Sequence, residues 1–170
     1  MTVQKEITCH QSGVTCIDYA KGYIFTGGED GNICVLKNGE VVNMVEKAHN
    51  AQVSGISVVA FGGGGHGEIG NSGNFGNIGN IGNNDNMVNP EFLIISTSLD
   101  QRVNGFLMKN GEIKHVFCYK TAVSDLTGFD TVVIGSEILV ALAGQGLELI
   151  SLDFSDKTCE IIDNSMVDSI

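Results

Sequence analysis

A seven-residue block that occurs twice is the feature that most constrains the fold of this chain. Residues 35–41 read VLKNGEV, and residues 107–113 read LMKNGEI. Asn-Gly between two apolar runs is the strongest short-range signal for a β-hairpin, because both residues tolerate the positive φ of a type I′ turn. The sequence therefore predicts a repeated hairpin unit.

A histidine stands at the start of the same repeat. HQSGV at 10–14 is echoed by HNAQV at 49–53, which is 39 positions later, whereas the two Asn-Gly turns lie 72 positions apart. Residues 62–86 account for the difference, since these 25 positions hold 10 glycines and 7 asparagines, and removing them leaves a spacing of 47. Spacings of 39 and 47 bracket the roughly 40–45 residues of a four-stranded propeller blade.

Short apolar runs broken by turn residues fill the remainder of the chain. Strands are predicted at 23–26, 33–36, 41–45, 92–96, 103–107 and 139–142. No stretch keeps a helical apolar period over ten residues, so an all-β fold is expected. We predict a partial β-propeller over 1–170: blade one at about 10–45, blade two at about 49–117 with a disordered Gly/Asn-rich loop at 62–89, and a weaker blade three at about 119–163.

A polar pattern recurs with the blades. Each of the first two has a His before its first strand, a hydroxyl residue, and an Asp four positions after that hydroxyl: His10, Thr26 and Asp30, then His49, Ser96 and Asp100. WD40 blades are held by such a network together with a Trp, whose positions are taken here by Leu36 and Phe106. Because a buried imidazole must find hydrogen-bond partners, we interpret the two sets as structural blade staples, named the first and second staple. The predicted architecture is therefore a partial WD40-type β-propeller.

Blade three departs from this pattern. Tyr119, Ala141 and Gln145 fall at its His, hydroxyl and Asp positions, and the whole chain contains no Trp. The staple is therefore expected to be lost in the third repeat.

Three catalytic or binding interpretations are disfavoured. A hydrolase triad occurs once, whereas the His, Ser/Thr and Asp set recurs with the blade period. A zinc site from Cys9, His10 and Cys16 lacks the paired spacing of structural zinc ligands. The G-x-G-x-x-G match at 65–70 lies in the Gly/Asn tract with no helix after it. We expect no catalytic, cofactor-binding or metal-binding residues.

Charge and cysteine usage limit the partners and the compartment. The net charge of −11 repels phosphates, so any contact of this chain with nucleic acid is expected to be indirect. Five cysteines without a CxxC pair predict reduced thiols and a cytoplasmic location. Neither an apolar leader nor a run of about 18 apolar residues is present, so no membrane span is expected.

Five segments point to a particular family. They are HQSGV at 10–14, GGEDG at 27–31, AHNAQVSGI at 48–56, STSLDQR at 96–102 and AGQGLE at 143–148. In this order they resemble the last blades of the large WD-repeat family that forms the non-catalytic subunit of the eukaryotic tRNA ribose 2′-O-methyltransferase acting at the wobble position. The resemblance covers most of the chain outside the Gly/Asn tract, which departs from the family.

The resemblance implies a scaffold that binds the methyltransferase and helps place the anticodon loop, with the catalytic residues in the partner. The alternative is a generic WD40 protein-interaction module, for example in endosomal recycling or signalling, or an incomplete fragment. Three blades do not close a ring of about 4–8, so further blades are expected from the rest of the parent protein or a partner chain. Residues 2–7 are interpreted as an outer strand of a preceding blade.

Overall fold

The computed structural model describes residues 5–61, 70–71, 90–153 and 160–167, with backbone alone in the second and fourth ranges. The strands in these ranges are β1 (Val14–Ala20), β2 (Tyr23–Gly28), β3 (Ile33–Lys37), β4 (Glu40–Val45), β5 (Val53–Phe61), β6 (Gly70–Asn71), β7 (Glu91–Ser98), β8 (Arg102–Lys109), β9 (Glu112–Lys120), β10 (Ser124–Ile134), β11 (Glu137–Asp153) and β12 (Glu160–Val167). No helix that could cross a membrane occurs in the described part of the chain. The predicted all-β fold is confirmed.

The strands form three antiparallel sheets in chain order. Sheet one has the order β1-β2-β3-β4, sheet two β6-β5-β7-β8-β9, and sheet three β10-β11-β12. The first strands stand side by side: Val58 N on β5 donates to Asp18 Oδ2 on β1 at 2.7 Å, and Ser57 Oγ lies 2.6 Å from Thr131 Oγ1 on β10. Three sheets that meet through their first strands are three blades of a propeller.

Strand β11 is two blade strands joined by a turn. Its first half pairs with β10 and its second half with β12. A straight strand rises about 3.3 Å per residue, yet Ser151 Oγ donates to Glu137 Oε2 at 3.4 Å across 14 positions. The strand must therefore fold back between its halves, where Gly146 has φ +129°. Sheet three thus contains four strand segments, as predicted.

Both predicted Asn-Gly turns are confirmed. Asn38 and Gly39 have φ of 52° and 76°, and Asn110 and Gly111 have 53° and 82°. Positive φ at both central residues is the type I′ geometry, which matches the twist of the flanking strands.

Apolar side chains fill the space between successive sheets. Between sheets one and two, the Phe25 and Phe92 rings meet edge to face with centroids 5.2 Å apart, and Tyr23 lies 5.0 Å from Phe92. A second cluster joins sheets two and three and includes Leu93, Ile95 and Val140. Sheet two is therefore covered on both faces.

The Gly/Asn tract lies between the first and second strands of sheet two, because β5 pairs directly with β7. Residues 62–69 and 72–89, with most of the G-x-G-x-x-G match, lie outside the described residues. The outer strand expected at 2–7 would pair with a preceding blade and stays a prediction; its described residues 5–7 are not paired with any strand of the three sheets. Lys5 instead donates through Nζ to the turn carbonyl of Gly39 at 2.6 Å.

Replacement of Phe25 tests the packing between sheets one and two. Phe25 is fully buried, so Phe25→Ala should lower the free energy of unfolding by about 3–5 kcal/mol, the usual cost of a large core truncation. Tyr19→Ala is the control, because Tyr19 lies exposed on the other face of the same sheet. Urea denaturation that gives equal losses for the two variants would contradict this packing.

Candidate functional site

The structure brings the three residues of the first staple together. His10 Nδ1 lies 3.0 Å from Asp30 Oδ1, and Thr26 Oγ1 lies 2.9 Å from His10 Nε2. Asp30 also accepts from the backbone N–H groups of Gln11 and Asn32, at 3.0 and 3.1 Å. Because an ionised carboxylate only accepts, Nδ1 donates to Asp30, and Nε2 accepts from the hydroxyl. Both ring nitrogens of His10 are thereby paired, which fixes the orientation of the ring.

The second staple repeats this geometry. His49 Nδ1 lies 3.2 Å from Asp100 Oδ1, and Ser96 Oγ lies 2.9 Å from His49 Nε2. Asp100 accepts from the backbone N–H groups of Asn50 and Arg102, both at 3.0 Å. Each staple thus ties the loop before a blade to the tight turn after that blade's second strand.

The pKa values of Asp30 in the first staple and of His49 in the second are both lowered. Burial disfavours the charged form of Asp30, but the N–H groups of Gln11 and Asn32 and the His10 ring outweigh it and lower the pKa of this carboxyl. Burial lowers the pKa of His49, and Asp100 only partly offsets the effect. At neutral pH these shifts favour an ionised Asp30 carboxyl and a neutral His49 ring.

Ser96, His49 and Asp100 have the connectivity of a catalytic triad, but the nucleophile is inaccessible. Ser96 has no exposed surface, and His49 is buried. A nucleophilic hydroxyl must reach the carbon it attacks, so this set cannot act on a substrate in the folded chain.

Two residues beside the staples were missed by sequence reasoning. Leu36 and Phe106, at the Trp positions, are buried, but the residues paired with the staple hydroxyls are Cys34 and Asn104. Asn104 Nδ2 donates to the Ala48 carbonyl at 2.7 Å. Only the strand register shows these pairings.

Cys34 is held as a thiol. Burial, aided by the neighbouring Cys9, raises the pKa of Cys34 to about 12. Its Sγ donates to the Cys9 carbonyl oxygen at 2.7 Å.

Sheet three replaces the staple with a buried carboxylate. Glu148 is 1% exposed and accepts from Tyr119 Oη, Thr121 Oγ1 and, at 3.3 Å, the N–H of Ala122. Ala141 does not stand where a staple hydroxyl would. Its neighbours Val140 and Leu142 are buried toward sheet two, and alternate residues of a strand point to opposite faces. Sequence reasoning missed Glu148, and the only signal was a lone acid among apolar residues.

An apolar surface, the β1 face, is exposed on sheet one and consists of Val14, Ile17, Tyr19 and Ile24. A bulge between Val14 and Cys16 shifts the alternation so that the three β1 residues share one side. They are 55%, 66% and 61% exposed, whereas the residues 39 positions later, Val53, Ile56 and Val58, are 0%, 8% and 0% exposed. In sheet two these positions are covered by sheet one. The β1 face therefore has the chemistry of an interface between blades.

No protein-family model matches the sequence, and no curated protein matches it, but solved structures do. The chain aligns with Saccharomyces cerevisiae Sqt1 at 12% identity and a TM-score of 0.63, over 95% of this chain and 37% of that one. It aligns with the WD40 β-propeller domain of Doa1 at 20% identity and a TM-score of 0.54, over 91% of this chain and 40% of that one. It aligns with the computationally designed protein Ika4 at 14% identity and a TM-score of 0.56, over 96% of this chain and 80% of that one.

These likenesses establish the fold: the chain has the architecture of part of a WD40-type β-propeller. It spans about two fifths of the length of the Sqt1 and Doa1 chains.

Removal of either staple carboxylate should destabilise the chain. Asp30→Ala and Asp100→Ala each leave a buried imidazole N–H without its acceptor, at a cost of about 1–3 kcal/mol. Glu40→Ala, at the exposed first residue of β4, is the control. Unchanged melting of both Asp variants would show that the contacts do not support the fold.

The lowered pKa values predict acid sensitivity in two steps. His49 has a folded pKa below its ordinary 6.5, so its contribution is complete above pH 6.5 and is lost as the pH falls through the folded value. The pKa of Asp30 is lowered from 3.8, so protonation of this carboxyl adds a second loss of stability below that pH. Urea denaturation at several pH values should show a smaller drop between about pH 7 and 5 in His49→Gln than in wild type. His115→Gln, at an exposed site, is the control and should show the same dependence of stability on pH as wild type. A drop in stability in His49→Gln equal to that of wild type would contradict the lowered pKa of His49.

Proposed function

We propose that this chain is part of a non-catalytic WD-repeat scaffold that binds a tRNA ribose 2′-O-methyltransferase and supports methylation of the wobble nucleotide. Catalysis belongs to the partner. The observation that carries the scaffold role is the exposed β1 face. The methyltransferase as partner is supported by the five family-like segments.

The β1 face is suited to contact with another protein surface rather than with solvent. Contiguous apolar patches on folded proteins mark interaction sites, and three large side chains of one strand lie here on one side. The contact between sheets one and two shows what covers such a surface, which is the apolar side of another antiparallel sheet. A further blade, from the parent protein or from a partner chain, fits the β1 face.

The charge of the chain favours a protein partner over direct RNA binding. With a net charge of −11, the surface repels phosphates at physiological salt. In this proposal, tRNA contacts come from the methyltransferase or from other blades. The four described cysteines are free thiols, which supports the proposed cytoplasmic location.

The alternative is a generic WD40 interaction module acting in endosomal recycling or signalling. Two of the family-like segments hold Asp100 and Glu148, whose contacts are structural. They support the blade geometry as much as the choice of partner. The β1 face suits this alternative equally well, so the identity of the partner separates the two functions.

Affinity capture of the tagged, complete reading frame tests both parts of the proposal. Wild type should recover a 2′-O-methyltransferase, and deletion should remove wobble ribose methylation as measured by mass spectrometry of tRNA. The double variant Ile17→Asp/Tyr19→Asp should lose the partner or the neighbouring blade, because it places two carboxylates in a desolvated contact. The matched control is Val41→Asp/Val42→Asp, the same change at exposed sites of the outer strand β4.

Two results would contradict the proposal. Recovery of no methyltransferase, with wobble methylation intact in the deletion, would leave the generic module. Equal behaviour of the two double variants would mean that the β1 face is not the binding surface.

A further inference from the structure

A second chemistry lies at the first staple. The Sγ atoms of Cys9 and Cys34 and a ring nitrogen of His10 all lie within 4.8 Å of one another. Thr26 Oγ1 stands beside them, 2.9 Å from His10 Nε2 and 3.7 Å from Cys9 Sγ. Two thiols, an imidazole and a hydroxyl thus converge at one point of sheet one.

The second staple has the same hydrogen bonds without the thiols. Ala48 stands in place of Cys9, and Asn104 stands in place of Cys34 opposite the staple hydroxyl. A blade of this chain is therefore held together without cysteine. The two thiols are an addition that the staple does not require.

We propose that Cys9, Cys34 and His10 bind one zinc ion. Thiolate sulfur and imidazole nitrogen are the ligands that Zn²⁺ prefers, at about 2.3 and 2.0–2.1 Å, so tetrahedral ligand atoms stand roughly 3.5–3.8 Å apart. The ligand atoms, which lie within 4.8 Å of one another, need to approach by about 1.3 Å at most to reach that geometry. On binding, each thiol releases its proton to solvent and the sulfur keeps the electron pair that it donates to the metal.

Asp30 completes the arrangement as the outer partner of the His ligand. Its carboxylate accepts from His10 Nδ1 at 3.0 Å, which leaves Nε2 with its lone pair. A His whose other nitrogen donates to a carboxylate is the usual form of a zinc-bound His. Binding replaces the hydrogen bond between the Thr26 hydroxyl and Nε2, so this hydroxyl must move aside for the metal.

The site has an entrance. A cleft of about 440 Å³ opens beside Cys9 and His10 and is also lined by Thr8, Glu46 and Lys47. Cys34 is fully buried and Cys9 is half-buried. An ion can therefore enter from the side of Cys9.

Titration of the reduced 170-residue chain with Co²⁺, followed by displacement with Zn²⁺, tests the site. Wild type should develop thiolate-to-cobalt charge-transfer absorption that saturates at one ion per chain and disappears with zinc. The double variant Cys9→Ala/Cys34→Asn installs the residues of sheet two, where the staple is formed without thiols, so its folding is expected and is checked by circular dichroism. It should lose the absorption and bind zinc more weakly by more than the roughly 10–100-fold that removal of an outer partner costs.

Cys118→Ser is the matched control, because Cys118 is a free thiol exposed on sheet two. It should bind Co²⁺ as wild type does, and Zn²⁺ should raise the melting temperature of wild type and of Cys118→Ser alone. Absence of the thiolate absorption in the folded wild type, or equal zinc binding by Cys9→Ala/Cys34→Asn, would overturn the proposal.

Discussion

Contact between the apolar faces of successive sheets is the interaction on which the rest of this structure depends. Sheet two is buried on both sides, which explains the unbroken apolar runs at 58–61 and 92–95. Sheets one and three each use one face for sheet two and leave apolar residues exposed on the other, Ile17 and Ile134 among them. The same force that orders the three blades therefore makes the described surfaces at both ends suited to further protein contact.

Polar networks decide how the sheets are connected. The two staples bind the loop before each blade to a tight turn, and a burial cost is avoided because both imidazole nitrogens are paired. In sheet three, Glu148 fixes the loop before the blade instead, because it accepts hydrogen bonds from the hydroxyls of Tyr119 and Thr121. A loop that enters a blade must be fixed by some buried polar contact, and different residues can supply it.

Residue type and repeat spacing predicted the features that depend on local chemistry, which are the tight turns and the two staples. The type I′ turns at Asn38 and Asn110 follow from residue type, and the two staples are brought together as their repeat spacing implies. What depends on register was not predictable. The bulge at Val14–Cys16 sets which β1 residues are exposed, and strand pairing places Cys34 opposite Thr26. A shift of one residue reverses the face, which is why the assignment of Ala141 failed.

In the proposed function, the β1 face is the contact surface of a binding scaffold. Site-specific photo-crosslinking in cells tests it most directly, with a photoreactive phenylalanine derivative in place of Tyr19 and, as reference, in place of Val42 on β4. A cross-link is expected from position 19 to a strand of another blade or to the proposed methyltransferase partner, with little product from position 42. Equal yields from the two positions, or no cross-link from position 19, would contradict it.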